Sequence, residues 1–180
     1  MKDRSLCDIW VFGYGSLMWR PGFEYEEAQM ATLDGYHRDL CVLSYVFRGT
    51  PEVPGLVMGL NPDGHCVGRA FRVAEKHVDQ TLQYLDEREM INNVYEPSWV
   101  DASLEDDRVV QAFTFIARQD HAQYAGHFTF EKKVEYVLQG FGSGGSSLEY
   151  LENTCVHLRD LSIEDPILEA ILASAHAQNA

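Results

Sequence analysis

One acidic residue near the end of a predicted helix, Glu89, is placed where a general base could work. The helix is predicted over residues 74–89, and its apolar stripe at helical spacing is formed by Val78, Leu82 and Leu85. The next position on that stripe is occupied by Glu89 rather than by an apolar residue. Burial and the negative end of the helix dipole would both raise the pKa of this carboxyl group. A carboxylate whose pKa is raised toward neutrality is suited to accept a proton.

A purely structural interpretation of Glu89 is compatible with the same pattern. In that interpretation the helix stops early, and the side chain is solvated or pairs with Arg88 or with Arg72. The neighbouring Glu87 falls on the opposite side of the helix, so only Glu89 is aimed at the core. The pattern alone leaves both interpretations open.

Two glycines lie inside an apolar run in the segment 9–19, IWVFGYGSLMW. An ordinary surface turn would place Asn, Asp or Pro beside its glycine, with polar residues on both sides. Gly13 and Gly15 instead interrupt apolar sequence, so we expect the backbone there to approach another group closely. The N–H groups of this backbone would be available to an anionic group.

A second glycine-rich loop precedes a predicted helix nearer the C-terminus. Gly140, Gly142 and Gly145 match the pattern G-x-G-x-x-G. The segment before them is predicted to be helical and no βαβ unit surrounds them, so a dinucleotide site is not predicted. The loop is interpreted as a flexible segment before a helix capped by Ser146. Tyr150 falls in the first turn of that helix and, judged alone, is interpreted as an exposed aromatic residue.

The remaining polar residues indicate neither a metal site nor a cofactor. The seven histidines and four cysteines lack the paired spacings of metal ligands, and no Walker sequence is present. Ser16 follows the sequence G-Y-G without an obvious partner base, so a serine hydrolase is not favoured. Arg48 lies at the start of the Pro- and Gly-containing loop 47–55, where it could hold a carboxylate or be solvated.

Composition and charge exclude several classes of partner. The 180 residues are 46% hydrophobic, which is enough for one domain, predicted over residues 1–180. The net charge of −14 repels phosphate backbones and anionic lipids, so neither nucleic acid nor a membrane is expected as a partner. The charged residues at the start of the chain are not followed by a signal-type apolar segment. We therefore expect a cytoplasmic protein with reduced cysteines.

Strand patterns dominate the first two thirds of the chain, and helical patterns dominate the last third. A strand is predicted at 9–13, and a half-buried strand or strand pair at 33–47. A hairpin is predicted at 54–73, with its turn formed by NPDG at 61–64, and two further strands at 94–118. With the early helix, this order indicates an α+β fold, most simply a small closed or strongly curved antiparallel sheet with helices against it.

Four segments, in this order, resemble the ChaC family of glutathione-specific γ-glutamylcyclotransferases. They are WVFGYGSLMWRPGF, RGTPEVPG, LDEREM followed by VYEPSWV, and GSGGSSLEYLENT. The resemblance extends from Trp10 to Leu158. It implies a γ-glutamylcyclotransferase-like fold, which is a small antiparallel or mixed β-barrel with flanking helices and a helical C-terminal part.

The resemblance also implies an activity and roles for individual residues. The reaction would cleave glutathione by internal cyclisation into 5-oxoproline and Cys-Gly, without a cofactor, which makes the protein a carbon–nitrogen lyase of the amidine-lyase type. The catalytic glutamate would be Glu89, and Tyr150 would contact the substrate. A substrate-binding loop would be formed by Tyr14, Gly15, Ser16 and Leu17.

The residues after Glu89 depart from the family pattern. Many relatives follow the Arg-Glu pair with KGGY, whereas this chain has MINNVY. Two alternatives therefore stay open: a cyclotransferase for γ-glutamyl amino acids or amines, and a non-catalytic module that binds an anionic metabolite. The presence of Glu89 favours an enzyme, because a module that binds carboxylates gains nothing from a buried acid beside its ligand.

Overall fold

The computed structural model describes residues 7–180, which form two compact units. The first unit consists of the chain up to His37 together with Pro62–Ile116, and the second consists of Arg38–Asn61 together with Ala117–Ala180. Residues 1–6, which contributed to the expected cytoplasmic location, lie outside the described residues. The single domain over residues 1–180 stays a prediction.

Five strands form a closed barrel. They are β1 (Ile9–Gly13), β2 (Glu27–Ser44), β3 (Gly55–Val73), β4 (Tyr95–Leu104) and β5 (Val109–Ala117). Their order around the barrel is β1-β3-β2-β4-β5. Strand β1 is antiparallel to β3 and parallel to β5, and β2 is antiparallel to β4, so the sheet is mixed. The closed barrel confirms the predicted small closed sheet, and its parallel pairing of β1 with β5 makes it mixed rather than purely antiparallel.

The hairpin turn predicted at residues 61–64 is wrong, because strand β3 continues through these residues. Asp63 and Gly64 have φ angles of 79° and 76°, so the strand bends there instead of reversing. Across the bend, Nδ1 of His37 lies 2.9 Å from the carbonyl oxygen of Asp63. The chain reverses in the loop 45–54, and the strand predicted at 33–47 belongs to the single long strand β2.

Helices occupy the segments in which helical periodicity is found. They are α1 (Val78–Glu89), α2 (Phe130–Gln139), α3 (Ser147–Asp160) and α4 (Pro166–Asn179). The last three pack against each other in the second unit. Their fully buried side chains include Val134, Leu151, Leu158, Leu168 and Ile171. Among the helices of residues 7–180, none is long and apolar enough to cross a membrane.

A buried polar chain links α2, β2 and β3 in the second unit. Nζ of Lys133 donates to Oδ1 of Asp39 over 2.5 Å, and Nδ2 of Asn61 donates to Oδ2 of Asp39 over 3.2 Å. The Tyr124 hydroxyl donates to Oδ1 of Asn61 over 2.6 Å. Because both charges are buried and paired, removal of either one would leave the other uncompensated in the interior.

The glycine-rich loop before α3 is a two-stranded sheet rather than the flexible segment predicted. Its strands are β6 (Phe141–Gly142) and β7 (Gly145–Ser146), which are antiparallel. Gly145 has a φ of 110°, a conformation that glycine adopts readily. The Ser146 hydroxyl accepts a hydrogen bond from the N–H of Glu149 over 3.0 Å, which confirms the predicted cap of α3.

Gly140 is expected to be intolerant of any side chain. A Cβ atom at this position would overlap Cα of Gly55 and lie 2.5 Å from the carbonyl oxygen of Arg48. We expect Gly140→Ala to lower the free energy of unfolding by about 1–3 kcal/mol, because backbone must shift to admit the methyl group. Urea denaturation measures the change. Gly144→Ala is the matched control, since the nearest atom to its Cβ would be the Phe47 carbonyl oxygen at 3.1 Å. Equal losses in both variants would contradict the prediction.

Candidate active site

The predicted substrate loop forms a tight turn directly after β1, in the first unit. Residues Ser16–Met18 form a 3-10 helix, whose first internal hydrogen bond runs from the N–H of Met18 to the carbonyl oxygen of Gly15 over 3.0 Å. The turn therefore offers no acceptor to the N–H groups of Gly15, Ser16 and Leu17. These three groups correspond to the backbone donors that the sequence predicts. Their contact with a ligand stays a prediction.

The glycine that precedes the turn has a packing role of its own. A Cβ atom on Gly13 would lie 2.9 Å from Cβ of Leu17, and a Cβ atom on Gly68 of β3 would overlap the carbonyl oxygen of Gly13. The close approach predicted for Gly13 is thus made by the protein's own turn and by the neighbouring strand. The approach of a ligand to the backbone at Gly15 stays a prediction.

Tyr14 places its side chain in the core of the first unit. The side chain is 8% exposed, and its hydroxyl donates to the carbonyl oxygen of Phe115 on β5 over 3.0 Å. The hydrogen bond anchors the start of the turn to the barrel. The substrate contact that the family resemblance implies for Tyr14 would therefore come from its backbone.

Two arginines hold the turn from neighbouring elements. Nη1 of Arg69 on β3 donates to the carbonyl oxygen of Met18 over 3.1 Å. Nη2 of Arg88 on α1 donates to Oγ of Ser16 over 2.7 Å, and Nη1 donates to the carbonyl oxygen of Arg20 over 2.8 Å. Hydrogen bonds from charged donors are roughly twice as strong as neutral ones. The turn is therefore firmly attached to both the barrel and α1.

Glu89 is the last residue of α1 and is partly accessible. Its side chain is 22% exposed, and Oε1 lies 3.4 Å from Nε of Arg88. Burial raises the pKa of Glu89 above its ordinary value, and the positive charge of Arg88 lowers the pKa in part. A carboxyl group in this state can still reach a ligand, and it holds a proton more readily than an exposed glutamate does.

The structure bears on the premises of both interpretations of Glu89, while its role as a base stays a prediction. The helix does not stop early, since α1 ends at Glu89 itself. Val78 and Leu85 of the predicted stripe are buried, whereas Leu82 is only half-buried. The predicted pairing with Arg88 is present, whereas Arg72 pairs with other carboxylates of its unit. Desolvation outweighs the attraction of Arg88, because the pKa of Glu89 is raised despite that charge.

Arg48 and Tyr150 are brought together in the second unit. The guanidinium carbon of Arg48 lies 5.6 Å from the centroid of the Tyr150 ring. Nη1 of Arg48 lies 3.6 Å from Oε2 of Glu149 and donates to the carbonyl oxygen of Ser146 over 3.3 Å. The Tyr150 hydroxyl accepts a hydrogen bond from the N–H of Met58 over 3.1 Å. Both side chains are engaged, and the substrate contacts suggested for them stay predictions.

The sequence analysis missed the role of Arg88 in holding the turn. A local signal was present, because Tyr84 lies four residues earlier on the helix and its hydroxyl accepts a hydrogen bond from Nη1 of Arg88 over 3.0 Å. The contact with Ser16 has no such signal, since it joins residues 72 positions apart.

The first unit brings together a carboxyl group, guanidinium groups and the backbone N–H groups of the turn. Within residues 7–180, no cluster of three or more His, Cys, Asp or Glu side chains could hold a metal ion. The groups around the turn are backbone N–H groups and guanidinium groups, which favour anions over cations. A carboxyl group such as that of Glu89 is chemically able to accept and return a proton, and its role as the base stays a prediction.

Comparison with known proteins assigns the chain to a family. A family model described as ChaC-like protein matches residues 9–178, which include both the turn and Glu89. The chain belongs to the ChaC family. The resemblance noted in the sequence is thereby confirmed.

Curated relatives of this ChaC-family protein align over most of its length. The glutathione-specific gamma-glutamylcyclotransferase of Escherichia coli (strain K12) is 35% identical over 166 residues, which cover 92% of this chain and 72% of that protein. The glutathione-specific gamma-glutamylcyclotransferase 1 of Danio rerio is 32% identical over 172 residues, which cover 92% of this chain and 88% of that protein.

A solved structure supports the fold of the ChaC-family protein. The crystal structure of a yeast gamma-glutamyl cyclotransferase specific to glutathione matches with a TM-score of 0.86 at 24% identity. The match covers 96% of this chain and 100% of that chain. It confirms the predicted γ-glutamylcyclotransferase-like barrel with helices.

Proposed function

We propose that this protein degrades glutathione by cyclising its γ-glutamyl group, with 5-oxoproline and Cys-Gly as the products. The observation that carries the proposal is Glu89, a partly buried carboxyl group with a raised pKa at the end of α1. The names of the relatives in Escherichia coli and Danio rerio support the choice of glutathione as substrate. The reaction is that of a carbon–nitrogen lyase, and its location in the cytoplasm stays a prediction.

The proposed reaction is an internal aminolysis. The α-amino group of the glutamyl unit attacks its own γ-carbonyl carbon, the new C–N bond closes a five-membered lactam, and the C–N bond to cysteine breaks. The amino group must first lose a proton, and an α-amino group titrates at about pH 8. Glu89 takes this proton and returns one to the departing amine of Cys-Gly. The step consumes neither water nor an external nucleophile.

Orientation of the glutamyl unit is the second requirement of this chemistry. An extended glutamyl side chain keeps the amine and the carbonyl apart, so the enzyme must bind it folded, with the reacting atoms about 3–3.5 Å apart. In the proposed mechanism, the N–H groups of Gly15, Ser16 and Leu17 bind the α-carboxylate or the developing oxyanion. Backbone donors do this without adding a full positive charge beside the base.

Incubation of the purified protein with glutathione, followed by mass spectrometry, tests the proposal directly. We expect 5-oxoproline and Cys-Gly to appear in equal amounts. γ-Glutamyl amino acids retain the reacting atoms but lack Cys-Gly, so they lose only the remote contacts that orient the substrate. We expect their kcat/KM to be lower by at least about tenfold, which corresponds to roughly 1.4 kcal/mol of differential binding.

The alternatives give different results in the same assay. Equal rates with glutathione and with γ-glutamyl amino acids would leave the cyclotransferase mechanism in place and remove the specificity for glutathione. A failure to form 5-oxoproline from any γ-glutamyl compound would contradict the proposed enzyme and favour a module that binds a metabolite.

A further inference from the structure

Arg88 connects the proposed base to the turn that carries the backbone donors. Its Nε faces Oε1 of Glu89 at 3.4 Å, while Nη2 donates to Oγ of Ser16 over 2.7 Å. Its Nη1 donates to the carbonyl oxygens of Arg20 and Pro21, over 2.8 and 3.3 Å. The side chain is 20% exposed, so most of it is shielded from water. One planar group therefore touches both parts of the site within the first unit.

Tyr84 fixes the orientation of the guanidinium independently of Glu89. The Tyr84 hydroxyl accepts a hydrogen bond from Nη1 of Arg88 over 3.0 Å, and the guanidinium carbon lies 6.0 Å from the ring centroid. Gly22 makes room for this tyrosine, because a Cβ atom at position 22 would overlap the phenol oxygen. The φ of Gly22 is +75°, a conformation that glycine adopts readily.

The number and placement of these contacts require an arginine. Arginine presents five N–H donors in a rigid planar fork, whereas the lysine ammonium group is a single compact charge. We propose that Arg88 is a positioning residue for the cyclisation, whose guanidinium holds the donor turn and the Glu89 carboxylate in the relative placement that the reaction needs. This inference rests on the proposed function, because it assigns Glu89 the role of base.

Arg88 acts on Glu89 through its charge as well as through its geometry. Its positive charge favours the ionised carboxylate, which is the form that accepts a proton. Asp86 and Glu87, which are near Glu89 on α1, are exposed to solvent, and so is Arg20, whose carbonyl oxygen Arg88 contacts. Loss of the Arg88 charge would raise the pKa of Glu89 further. The base would then be protonated at a higher pH, and the loss of activity would be greatest under acidic conditions.

Three variants of the full chain separate the effect of charge from that of geometry, with glutathione as substrate. Arg88→Gln removes both, so we expect kcat/KM to fall by about a hundredfold and the acidic limb of its pH profile to move to higher pH. Arg88→Lys keeps the charge but not the fork, so kcat/KM should fall while the acidic limb stays near that of the wild type. Arg20→Gln is the matched control, because it removes a positive charge from the turn and keeps the carbonyl group that Arg88 contacts.

The outcomes distinguish a positioning role from a merely structural one. Wild-type kcat/KM in Arg88→Gln would overturn the inference. So would an Arg88→Gln protein that melts at a lower temperature but retains the wild-type acidic limb in its remaining activity. If Arg88→Gln does not fold, Arg88→Lys and Ser16→Ala provide the test. A fall in their kcat/KM without a shift of the acidic limb supports the inference. Wild-type kinetics in both variants overturn it.

Failure of the proposed function would be recognised separately. It would appear as absence of 5-oxoproline with the wild-type protein, before any variant is compared. The coupling between the two residues is then measured by NMR titration of the Glu89 carboxyl carbon. A higher pKa of Glu89 in Arg88→Gln supports the coupling, and an unchanged pKa overturns it.

Discussion

Replacement of Glu89 by glutamine is expected to lower kcat for glutathione cleavage by about 10²- to 10⁴-fold, while the protein still folds and binds its substrate. The amide has nearly the same shape as the carboxyl group, but it cannot accept the proton that the substrate ammonium group must lose. Detection of 5-oxoproline by mass spectrometry gives kcat, and titration calorimetry with the inactive variant gives the affinity for glutathione.

Glu87→Gln is the matched control for this substitution. Glu87 is exposed, and its Oε1 accepts a hydrogen bond from Nε2 of Gln83 over 3.0 Å on the surface of α1. We expect activity close to that of the wild type in this variant. Wild-type activity in Glu89→Gln as well would remove Glu89 from the mechanism.

The pH dependence of the wild type follows from the raised pKa of Glu89. Below that pKa the carboxyl group is protonated and no longer serves as a base. We therefore expect kcat/KM to fall as the pH is lowered through a value above the ordinary pKa of glutamate. This acidic limb should be absent from the residual activity of Glu89→Gln.

N-acetylated glutathione is expected to yield no 5-oxoproline, which is the largest effect of substrate structure that the proposed mechanism predicts. Acylation ties up the lone pair of the amine in an amide, so the nitrogen is no longer a nucleophile and has no ammonium proton to give to Glu89. The assay is the same mass-spectrometric measurement, with unmodified glutathione as the reference. Product from the acylated compound would refute internal cyclisation, whatever the role of Glu89.

The α-linked isomer Glu-Cys-Gly is the companion control. Its scissile carbonyl is attached to the wrong carbon for closure of a five-membered lactam with release of Cys-Gly. We expect no reaction with this peptide. A general peptidase would cleave it, so the pair of compounds separates cyclisation from hydrolysis.

Local periodicity in the sequence was sufficient to predict α1 and to single out Glu89. The helical repeat places Val78, Leu85 and residue 89 on one face, and this holds whatever surrounds the helix. The hairpin turn predicted at residues 61–64 was wrong because, unlike the helical repeat, a turn signal depends on what surrounds it. Asp and Gly accept a left-handed backbone in a bent strand as readily as in a hairpin, and only the neighbouring strand decides between the two.

Contacts that join distant parts of the chain could not be predicted in this way. The hydroxyl of Tyr14 finds its acceptor at Phe115, 101 positions away, because closure of the barrel brings β1 beside β5. The contact of Arg88 with Ser16 depends in the same way on where α1 lies after the chain has folded. From the sequence alone, Arg88 was considered only as an ion-pair partner of Glu89. Nothing in the sequence indicated that it also holds the turn.

The parallel pairing of β1 with β5 also bears on how the protein is made. One edge of β1 pairs with β3 at residues 69–73, and its other edge pairs with Ala112 and Phe113 of β5. A ribosome adds about 5–20 residues per second, so roughly 5–20 s pass between the synthesis of Trp10 and that of Ala112. During this interval the edge of β1 that will pair with β5 has no partner, and an unpaired strand edge can pair with other chains. The turn with the backbone donors is thus synthesised early. The barrel that surrounds it can close only after β5, the last barrel strand, has been synthesised.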